Sequence, residues 1–198
     1  MKRTKEEALA TKKILISKAF MEFLETGFEN SKLEVIAEKA GVTRGALYWH
    51  FKDKKDLLES VIEYKDMESI EICSEIIDSE MSSFEKLNRI ISLNFPDIKT
   101  KKKEVNFVKL KVELYNYFIK HGDKRNAGVK FTESCYSLLE QMKKENLIRD
   151  EVDIRSAAFN ILTMCSGSYL RYCTLPENIR SLKTLKTNVL DYLKLIMK

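Results

Sequence analysis

Residues 41–51 read Gly41-Val42-Thr43-Arg44-Gly45-Ala46-Leu47-Tyr48-Trp49-His50-Phe51, and this stretch predicts a short helix with two unlike faces. Thr43 is a good N-cap residue, because its hydroxyl accepts a hydrogen bond from an amide of the first turn. Leu47 and Phe51 are four residues apart and share one face, which predicts that they pack on neighbouring helices. The other face combines basic, aromatic and small residues: Arg44, Gly45, Tyr48, Trp49 and His50. Such a face is unusual in solvent, and it indicates a flat, anionic partner.

A second short helix is predicted immediately before this one. Ser31 and Glu34 form the S-x-x-E pattern of a capping box, so we expect Ser31 to be the N-cap residue. Gly41 is placed to end this helix. The predicted buried face of the helix consists of Leu33, Ile36, Ala37 and Ala40. Two short helices joined by a tight, glycine-containing turn are typical of a helix-turn-helix when the second one exposes polar and aromatic residues.

The first helix of the chain has recognisable start and stop signals. Thr4 and Glu7 form another capping box, and Gly27 is placed to end the helix. Between these signals, apolar residues recur at spacings of three and four: Ile16, Ala19, Phe20 and Phe23. This spacing predicts a helix with one stripe facing a core.

The fourth predicted helix is long and continuous. Asp53 is its expected N-cap, and the apolar pattern runs from Leu57, Leu58, Val61 and Ile62 through Ile76 and Ile77. Because no flexible linker interrupts the helix, a tilt at one end would move the other end. We therefore divide the chain into a helix-turn-helix domain at residues 1–53, with a recognition helix at about 43–50, and a second helical domain at 54–198.

The remainder of the chain predicts further helices and an all-α fold. Their ranges are about 84–95, 103–120, 124–145, 153–173 and 179–197. The last two are apolar over broad faces, which favours pairing with the same two helices of a second copy in a four-helix bundle. Core packing within one chain is the alternative use of these faces.

Composition limits the class of protein. The chain has 198 residues, of which 44% are hydrophobic, and it contains six glycines and two prolines, which argues against an all-β fold. We find no signal segment and no apolar run approaching the roughly 20 residues of a spanning helix, so we expect a soluble cytoplasmic protein without membrane contact. The net charge is only +5, and residues 1–65 hold 13 Lys and Arg against 11 Asp and Glu. Any affinity for nucleic acid must therefore come from local placement of charge.

The cysteines and histidines predict neither a metal site nor a cofactor. The sequence contains Cys73, Cys135, Cys165, Cys173, His50 and His121. No two cysteines have C-x-x-C spacing, and two histidines do not complete a ligand cluster. We expect reduced thiols that pack as small hydrophobic groups, and a redox-sensing thiol is the alternative.

The common catalytic patterns are absent from the sequence. It has no glycine-rich phosphate loop, no G-x-S-x-G elbow and no Cys/His pair at a suitable spacing. His50 has no neighbouring residues that would make it a general base. We therefore expect a binding protein and not an enzyme.

Residues 31–58, which contain A-E-K-A-G-V-T-R-G-A-L-Y-W-H-F-K-D-K-K-D-L-L at 37–58, resemble the DNA-binding domain of the TetR/AcrR family of transcriptional regulators. The likeness extends back to Thr11, and residues 3–9 and 45–51 are similar to the AcrR branch, whose members repress multidrug efflux pumps. The resemblance implies an all-α protein of roughly nine helices that works as a homodimer on a palindromic DNA operator. It also implies a cavity for a small hydrophobic effector in the C-terminal domain, with release of DNA when the cavity fills.

The predicted DNA contacts centre on the third helix. Arg44 lies where a recognition helix reaches base edges, so it would pair with a guanine or contact a phosphate only. Gly45 allows close approach of the backbone, and Ala46 would touch a thymine methyl group. Trp49 either packs on the sugar-phosphate backbone or covers the core of the domain. The remaining predicted contacts are to phosphates: Ser31, Lys32, Thr43, Tyr48, His50 and Lys54.

The resemblance also suggests candidates for effector binding. An acidic residue of the fourth helix faces the pocket in the efflux-repressor branch, and Asp66 occupies the matching place. The alternative is a solvated acid that pairs with Lys65 or with another neighbour. Further candidates are one methionine and five aromatic residues: Met67, Phe84, Phe107, Phe118, Phe131 and Tyr169.

The sequence thus predicts a ligand-responsive repressor of an efflux or detoxification operon. Two alternatives are open. The first is a similar regulator of another pathway, which would sense a lipid or a metabolite. The second is a helix-turn-helix adaptor that acts through a protein partner and binds no effector.

Overall fold

A computed structural model describes residues 4–122 and 127–198, and these residues form nine α-helices and no β-strand. The helices are α1 Lys5–Thr26, α2 Leu33–Lys39, α3 Arg44–His50, α4 Lys54–Asp78, α5 Ser83–Leu93, α6 Lys101–His121, α7 Ala127–Lys144, α8 Ile154–Thr174 and α9 Leu182–Ile196. A 3-10 turn at Glu177–Ile179 precedes α9. The predicted all-α fold is confirmed. Within the described ranges, no helix is both long enough and apolar enough to cross a membrane.

The predicted N-caps Thr4 and Asp53 are confirmed, and Asp153, the first residue of the helix predicted at 153–173, is a third N-cap. Thr4 and Glu7 form the capping box of α1, in which the Glu7 amide donates to Thr4 Oγ1 at 3.2 Å and the Thr4 amide donates to Glu7 Oε2 at 2.9 Å. Asp53 Oδ1 accepts from the amides of the next turn and so caps α4. Asp153 caps α8 by accepting from the Ser156 amide at 2.8 Å.

The prediction that Ser31 caps α2 is wrong. Lys32 is the N-cap residue, and its side chain makes no capping hydrogen bond. Ser31 is instead buried, and its hydroxyl donates to the Phe28 carbonyl at 2.7 Å. The hydroxyl therefore closes the turn that follows α1 by donating to a carbonyl of that turn. The predicted cap would instead have accepted a hydrogen bond from an amide of α2.

Several predicted helix boundaries differ from the structure by up to three residues. The helix predicted at 84–95 ends at Leu93, and the helix predicted at 179–197 begins at Leu182. The helix predicted at 103–120 begins two residues earlier, at Lys101, whose ammonium pairs with Glu104 one turn on. This i,i+3 pair extends the first turn. The helix predicted from Lys124 is described from Ala127, so its predicted start lies outside the described residues.

The chain divides into two compact units. Unit 1 is Met1–Asp66 with Lys99–Tyr117, and unit 2 is Met67–Ile98 with Phe118–Lys198. The first half of α4 belongs to unit 1 because its apolar residues pack with those of α1, α2 and α3. The functional division predicted at residue 53 remains a prediction.

Unit 1 has one continuous hydrophobic core. Its fully buried members include Leu15, Phe23, Ile36, Leu47 and Leu57, and Leu110 of α6 completes the cluster. Burial of a leucine, isoleucine or phenylalanine side chain contributes about 1.5–3 kcal/mol. The core fixes the inner side of α3 through Leu47 and Phe51, as the spacing of those residues predicted.

Unit 2 is formed by α5, α7, α8 and α9 with the end of α4. The apolar stripe of α9 is buried within this chain, through Leu182, Leu185, Val189, Leu193 and Ile196. The apolar stripe of α9 was one reason for predicting a dimer through the last two helices. In the structure, this stripe is buried in the core of the same chain. Any dimer through α8 and α9 must use their other, exposed faces.

Candidate nucleic-acid interface

The helix α3 has a buried inner side and a capped N-terminus. Leu47 is fully buried, and Phe51 follows the last turn in the same core. Thr43 Oγ1 accepts from the Ala46 amide at 3.1 Å, which confirms the predicted cap. The tight turn before α3 places Gly41 at a φ of 69°, a left-handed conformation that favours glycine. These features hold α3 at a fixed angle to α2.

The outer face of α3, defined as Arg44, Gly45, Tyr48 and Trp49, is exposed. Trp49 has 73% of its surface in solvent, so it does not cover the core of the domain, and that alternative is excluded. His50 is half-buried, and its ring stands edge-on to the Trp49 ring with 4.6 Å between centroids. A large aromatic surface left in water is unusual for a domain that stands alone.

Arg44 is held between an acid and an aromatic ring. Its Nη1 lies 3.2 Å from Oε1 of Glu34 in α2, and its Cζ lies 5.4 Å from the centroid of the Tyr48 ring. The hydrogen bond to Tyr48, and then the charge of Glu34, raise the pKa of the Arg44 guanidinium above its usual value. Glu34 is not among the predicted site residues, because its sequence pattern indicates only a capping box.

The predicted phosphate contacts of unit 1 differ in their surroundings. Lys32 is exposed at the start of α2, and Thr43 is exposed at the start of α3. Ser31 is buried. The Lys54 ammonium donates to three backbone carbonyls between α1 and α2, at 2.8, 3.0 and 3.2 Å. The structure therefore brings Thr43, Arg44 and the aromatic residues together on one surface, while Ser31 and Lys54 face the α1–α2 connection.

Charged side chains of α1, α2 and α6 form a network of ion pairs in unit 1. Glu22 of α1 is only 3% exposed, and its Oε2 pairs with Lys39 of α2 at 2.6 Å. Lys39 also contacts Glu25, which in turn reaches Lys103 of α6 at 3.5 Å. The hydrogen bond from Lys39 is the main cause that lowers the pKa of Glu25, and the hydrogen bond to Glu22 is the main cause that raises the pKa of Lys39. This network ties α2 to α1 and α6.

Two of the effector candidates lie in unit 1. Asp66 is 9% exposed, which excludes the alternative of a solvated acid. Phe107 of α6 is also buried, and the Lys111 ammonium lies 5.7 Å from the centroid of its ring.

The described effector candidates of unit 2 have different environments. Met67 is exposed, whereas Phe84 and Phe131 are half-buried. Tyr169 is fully buried, where its hydroxyl donates to the Asn94 carbonyl and its ring lies 6.1 Å from that of Phe95. The side chain of Phe118 lies outside the described part of the structure.

An open groove of about 570 Å³ runs between α7 and α8 in unit 2. Its lining comprises Thr132, Glu133, Tyr136, Arg155, Ala158 and Phe159. None of the effector candidates described above lines this groove, so the sequence did not predict it.

The four cysteines are free thiols in the structure. Cys135 and Cys165 are buried, Cys73 is half-buried and Cys173 is exposed. Burial raises the pKa of the Cys135 and Cys73 thiols, which lowers their thiolate fraction at neutral pH. These two environments agree with thiols that pack as small hydrophobic groups.

Comparison with known proteins gives matches to this interface. Residues 15–61 match the model of the bacterial regulatory proteins, tetR family. Over 62 residues, the chain is 50% identical to the HTH-type transcriptional repressor BepR of Brucella suis, an alignment that covers 31% of this chain and 30% of BepR. Over 62 residues, it is 45% identical to the HTH-type transcriptional regulator AcrR of Shigella flexneri, covering 31% of this chain and 29% of AcrR. The matched segment thus spans less than a third of either relative.

A solved structure matches the chain over nearly its whole length. SmeT, the repressor of the Stenotrophomonas maltophilia multidrug efflux pump SmeDEF, superposes with a TM-score of 0.67 over 96% of this chain and 92% of SmeT, at 20% identity. SmeT has also been solved as a complex with triclosan, with the same agreement. At this identity the likeness concerns the fold.

Proposed function

We propose that this chain, whose residues 15–61 match the bacterial regulatory proteins of the tetR family, is a DNA-binding transcriptional regulator of that family. It represses an efflux or detoxification operon and leaves a palindromic operator when a small hydrophobic effector binds. The likeness to the repressor BepR supports repression, and the likeness of residues 3–9 and 45–51 to the AcrR branch supports the link to efflux.

One observation carries the proposal: the outer face of α3 is exposed while its inner side is locked into the core of unit 1. Arg44 supplies a guanidinium that pairs bidentately with guanine in the major groove. Tyr48 and Trp49 supply flat surfaces for the sugar-phosphate backbone, together with contacts from Thr43 and His50. Gly45 lets the helix backbone approach the duplex, and Ala46 meets a thymine methyl group.

The helix α4 supplies the proposed link to the effector. It runs unbroken from Lys54 in unit 1 to Asp78 in unit 2. The effector would bind in unit 2 near Met67, Phe84, Phe131 and Tyr169, and it would shift the end of α4. A shifted α4 changes the placement of α3, so that the two recognition helices of a dimer no longer fit two half-sites. A coupling of a few kcal/mol is sufficient to empty the operator.

The proposed homodimer uses the exposed faces of α8 and α9. Phe159, Gly167 and Leu170 of α8 are exposed, as is Leu195 of α9. A Cβ atom added at Gly167 would meet nothing within 4 Å in this chain, so a partner helix has room to approach there. Four helices, two from each copy, would form the interface.

The experiment is a titration of fluorescent duplexes that carry the palindromes upstream of the protein's own gene. We expect specific binding that falls as salt rises, and a loss of about tenfold to a hundredfold for Arg44→Ala. Arg89→Ala, which removes an exposed arginine of α5, is the matched control and is expected to bind like the wild type. Bulky aromatic compounds added to the complex are expected to release the duplex.

The outcomes separate the proposal from its alternatives. If no duplex is bound at moderate salt, the proposal is wrong. Specific binding with release by a lipid or metabolite, and by no aromatic drug, would assign the regulator to another pathway. Specific binding that only a protein partner modulates would favour the adaptor.

A further inference from the structure

Arg44 is contacted at both terminal nitrogens before any DNA is bound. Nη1 lies 3.2 Å from the Glu34 carboxylate, and Nη2 donates a long hydrogen bond of 3.5 Å to the Tyr48 hydroxyl. Glu34 comes from α2 and Tyr48 from α3. The guanidinium is therefore held by both helices of the helix-turn-helix, and its plane has a preferred orientation.

These two contacts leave Arg44 able to read a base. A guanidinium has five N–H donors, of which the hydrogen bond to Tyr48 uses one, while Glu34 makes an ion-pair contact with Nη1. Recognition of guanine needs two donors, directed at O6 and N7. The contacts thus orient the side chain without using up its recognition capacity.

Stability does not explain the pair between Arg44 and Glu34. The two side chains are 64% and 52% exposed, and ion pairs with such exposure contribute little to folding. Arg44 is the first residue of α3, where the helix dipole disfavours a cation. The negative charge of Glu34 offsets this unfavourable position of the guanidinium. The clearest effect of the pair is on the freedom of a long side chain, because an arginine that is already ordered loses less rotamer entropy when it binds.

The Glu34 carboxylate also acts on the DNA directly. A negative charge beside the outer face repels phosphates, which weakens binding in any register where Arg44 does not pair with a base. Ordering of Arg44 and repulsion of phosphate act in the same direction, because both increase the preference for the correct sequence over other DNA.

We propose that Glu34 is a positioning residue that sets the base preference of Arg44, an inference that rests on the proposed DNA-binding function. Glu34 need not touch DNA itself. It holds the guanidinium in the plane of the guanine edge and makes non-cognate binding less favourable.

The test is selection of bound duplexes from a randomised double-stranded library. It is done in parallel with the wild type, Arg44→Ala, Glu34→Gln and Glu38→Gln. Arg44→Ala identifies the base positions that depend on Arg44. At those positions we expect Glu34→Gln to weaken the guanine preference by about fivefold to tenfold. The affinity of this variant for scrambled DNA should rise.

Glu38→Gln is the matched control, because it makes the same charge change at an exposed site of the same helix. We expect it to keep the wild-type preference. Thermal melting of the four proteins checks that they fold alike.

The outcomes are distinguishable. If Glu34→Gln keeps the guanine preference, or if Glu38→Gln loses as much of it, the inference is wrong although the proposed function stands. If the wild type enriches no sequence, the proposed function fails and the inference with it.

Discussion

The Lys54 ammonium closes the connection between α1 and α2. It donates to the carbonyls of Phe28, Glu29 and Ser31 and lies 4.8 Å from the centroid of the Phe28 ring. An ammonium has three N–H donors, so these carbonyls use all of them. Lys54 therefore has a structural role in unit 1, and a phosphate contact at this residue, which stays a prediction, would have to compete with it.

We expect Lys54→Met to destabilise the protein by about 1–3 kcal/mol, because three carbonyls lose a charged donor. Urea unfolding followed by circular dichroism measures the change. Lys55→Met is the matched control, since Lys55 is the exposed neighbour in the same turn. Equal stability of the two variants would show that the Lys54 contacts are dispensable.

Among single residues, the sequence predicts those whose role is decided locally. Thr43 caps α3 through an amide three residues away, so pattern alone was sufficient. Glu34 has its partner Arg44 outside its own helix, and no spacing rule within a helix reveals such a partner. Ser31 was assigned wrongly for a different reason: its hydroxyl bonds to Phe28 in the preceding turn, and the S-x-x-E pattern does not distinguish that bond from a helix cap.

At the scale of elements, the start of α4 depends on one carboxylate. The hydrogen bond from the Asp56 amide is the main cause that lowers the pKa of Asp53. Loss of solvation is the second largest cause and opposes it, whereas the Lys55 amide and the charges of Lys52 and Lys55 lower the pKa further. An acid with a lowered folded pKa stabilises the fold above its unfolded pKa of about 4. That contribution is lost as the pH falls through the folded value.

We therefore expect Asp53→Asn to melt below the wild type at about pH 7, by a difference that shrinks as the pH falls through the lowered pKa of Asp53. Asparagine caps helices about as well as aspartate, so the substitution tests the charge and not the cap itself. Asp97→Asn, at an exposed site between α5 and α6, is the control and should follow the wild type throughout. If the difference in melting temperature between Asp53→Asn and the wild type stayed constant with pH, this account would be wrong.

The apolar stripes show how far periodicity predicts elements. The stripes of α1 and α9 are buried as predicted, at Ile16, Ala19 and Phe23 in the first and at Leu185 and Val189 in the second. Periodicity identifies which face of a helix avoids water. It cannot say whether that face meets the same chain or a second copy, and for α9 it is the same chain.

At the scale of the whole molecule, the exposed apolar side chains of α8 and α9 matter most. Phe159, Leu170 and Leu195 are all more than half exposed within one chain. Exposed apolar groups gathered on neighbouring helices mark interaction surfaces. The proposed dimer would cover them and would place two copies of α3 on one operator.

We expect Leu170→Glu to convert the dimer to a monomer, because it places a charge in the middle of the proposed interface. Light scattering after size exclusion should fall from twice the chain mass of 23.1 kDa to that mass. Operator affinity should fall with it, since one recognition helix engages one half-site.

Ile179→Glu provides the control for this change. Ile179 is also about half exposed, but it lies in the turn before α9 and outside the proposed interface. A dimer that survives Leu170→Glu but not Ile179→Glu would place the interface elsewhere.

The part played by α6 in unit 1 has a consequence for synthesis of the chain. Leu110 is buried in the same core as Leu47, and both Leu114 and Tyr117 pack against that core. The Asn106 side chain also donates to the Leu24 carbonyl. A ribosome that has made the first 66 residues has made all of α3 but none of α6. Until Tyr117 has been added, the apolar surface that α6 covers stays open to water and to other nascent chains. Unit 1, which contains α3, is therefore completed only after Tyr117 has been translated, long after α3 itself has been made.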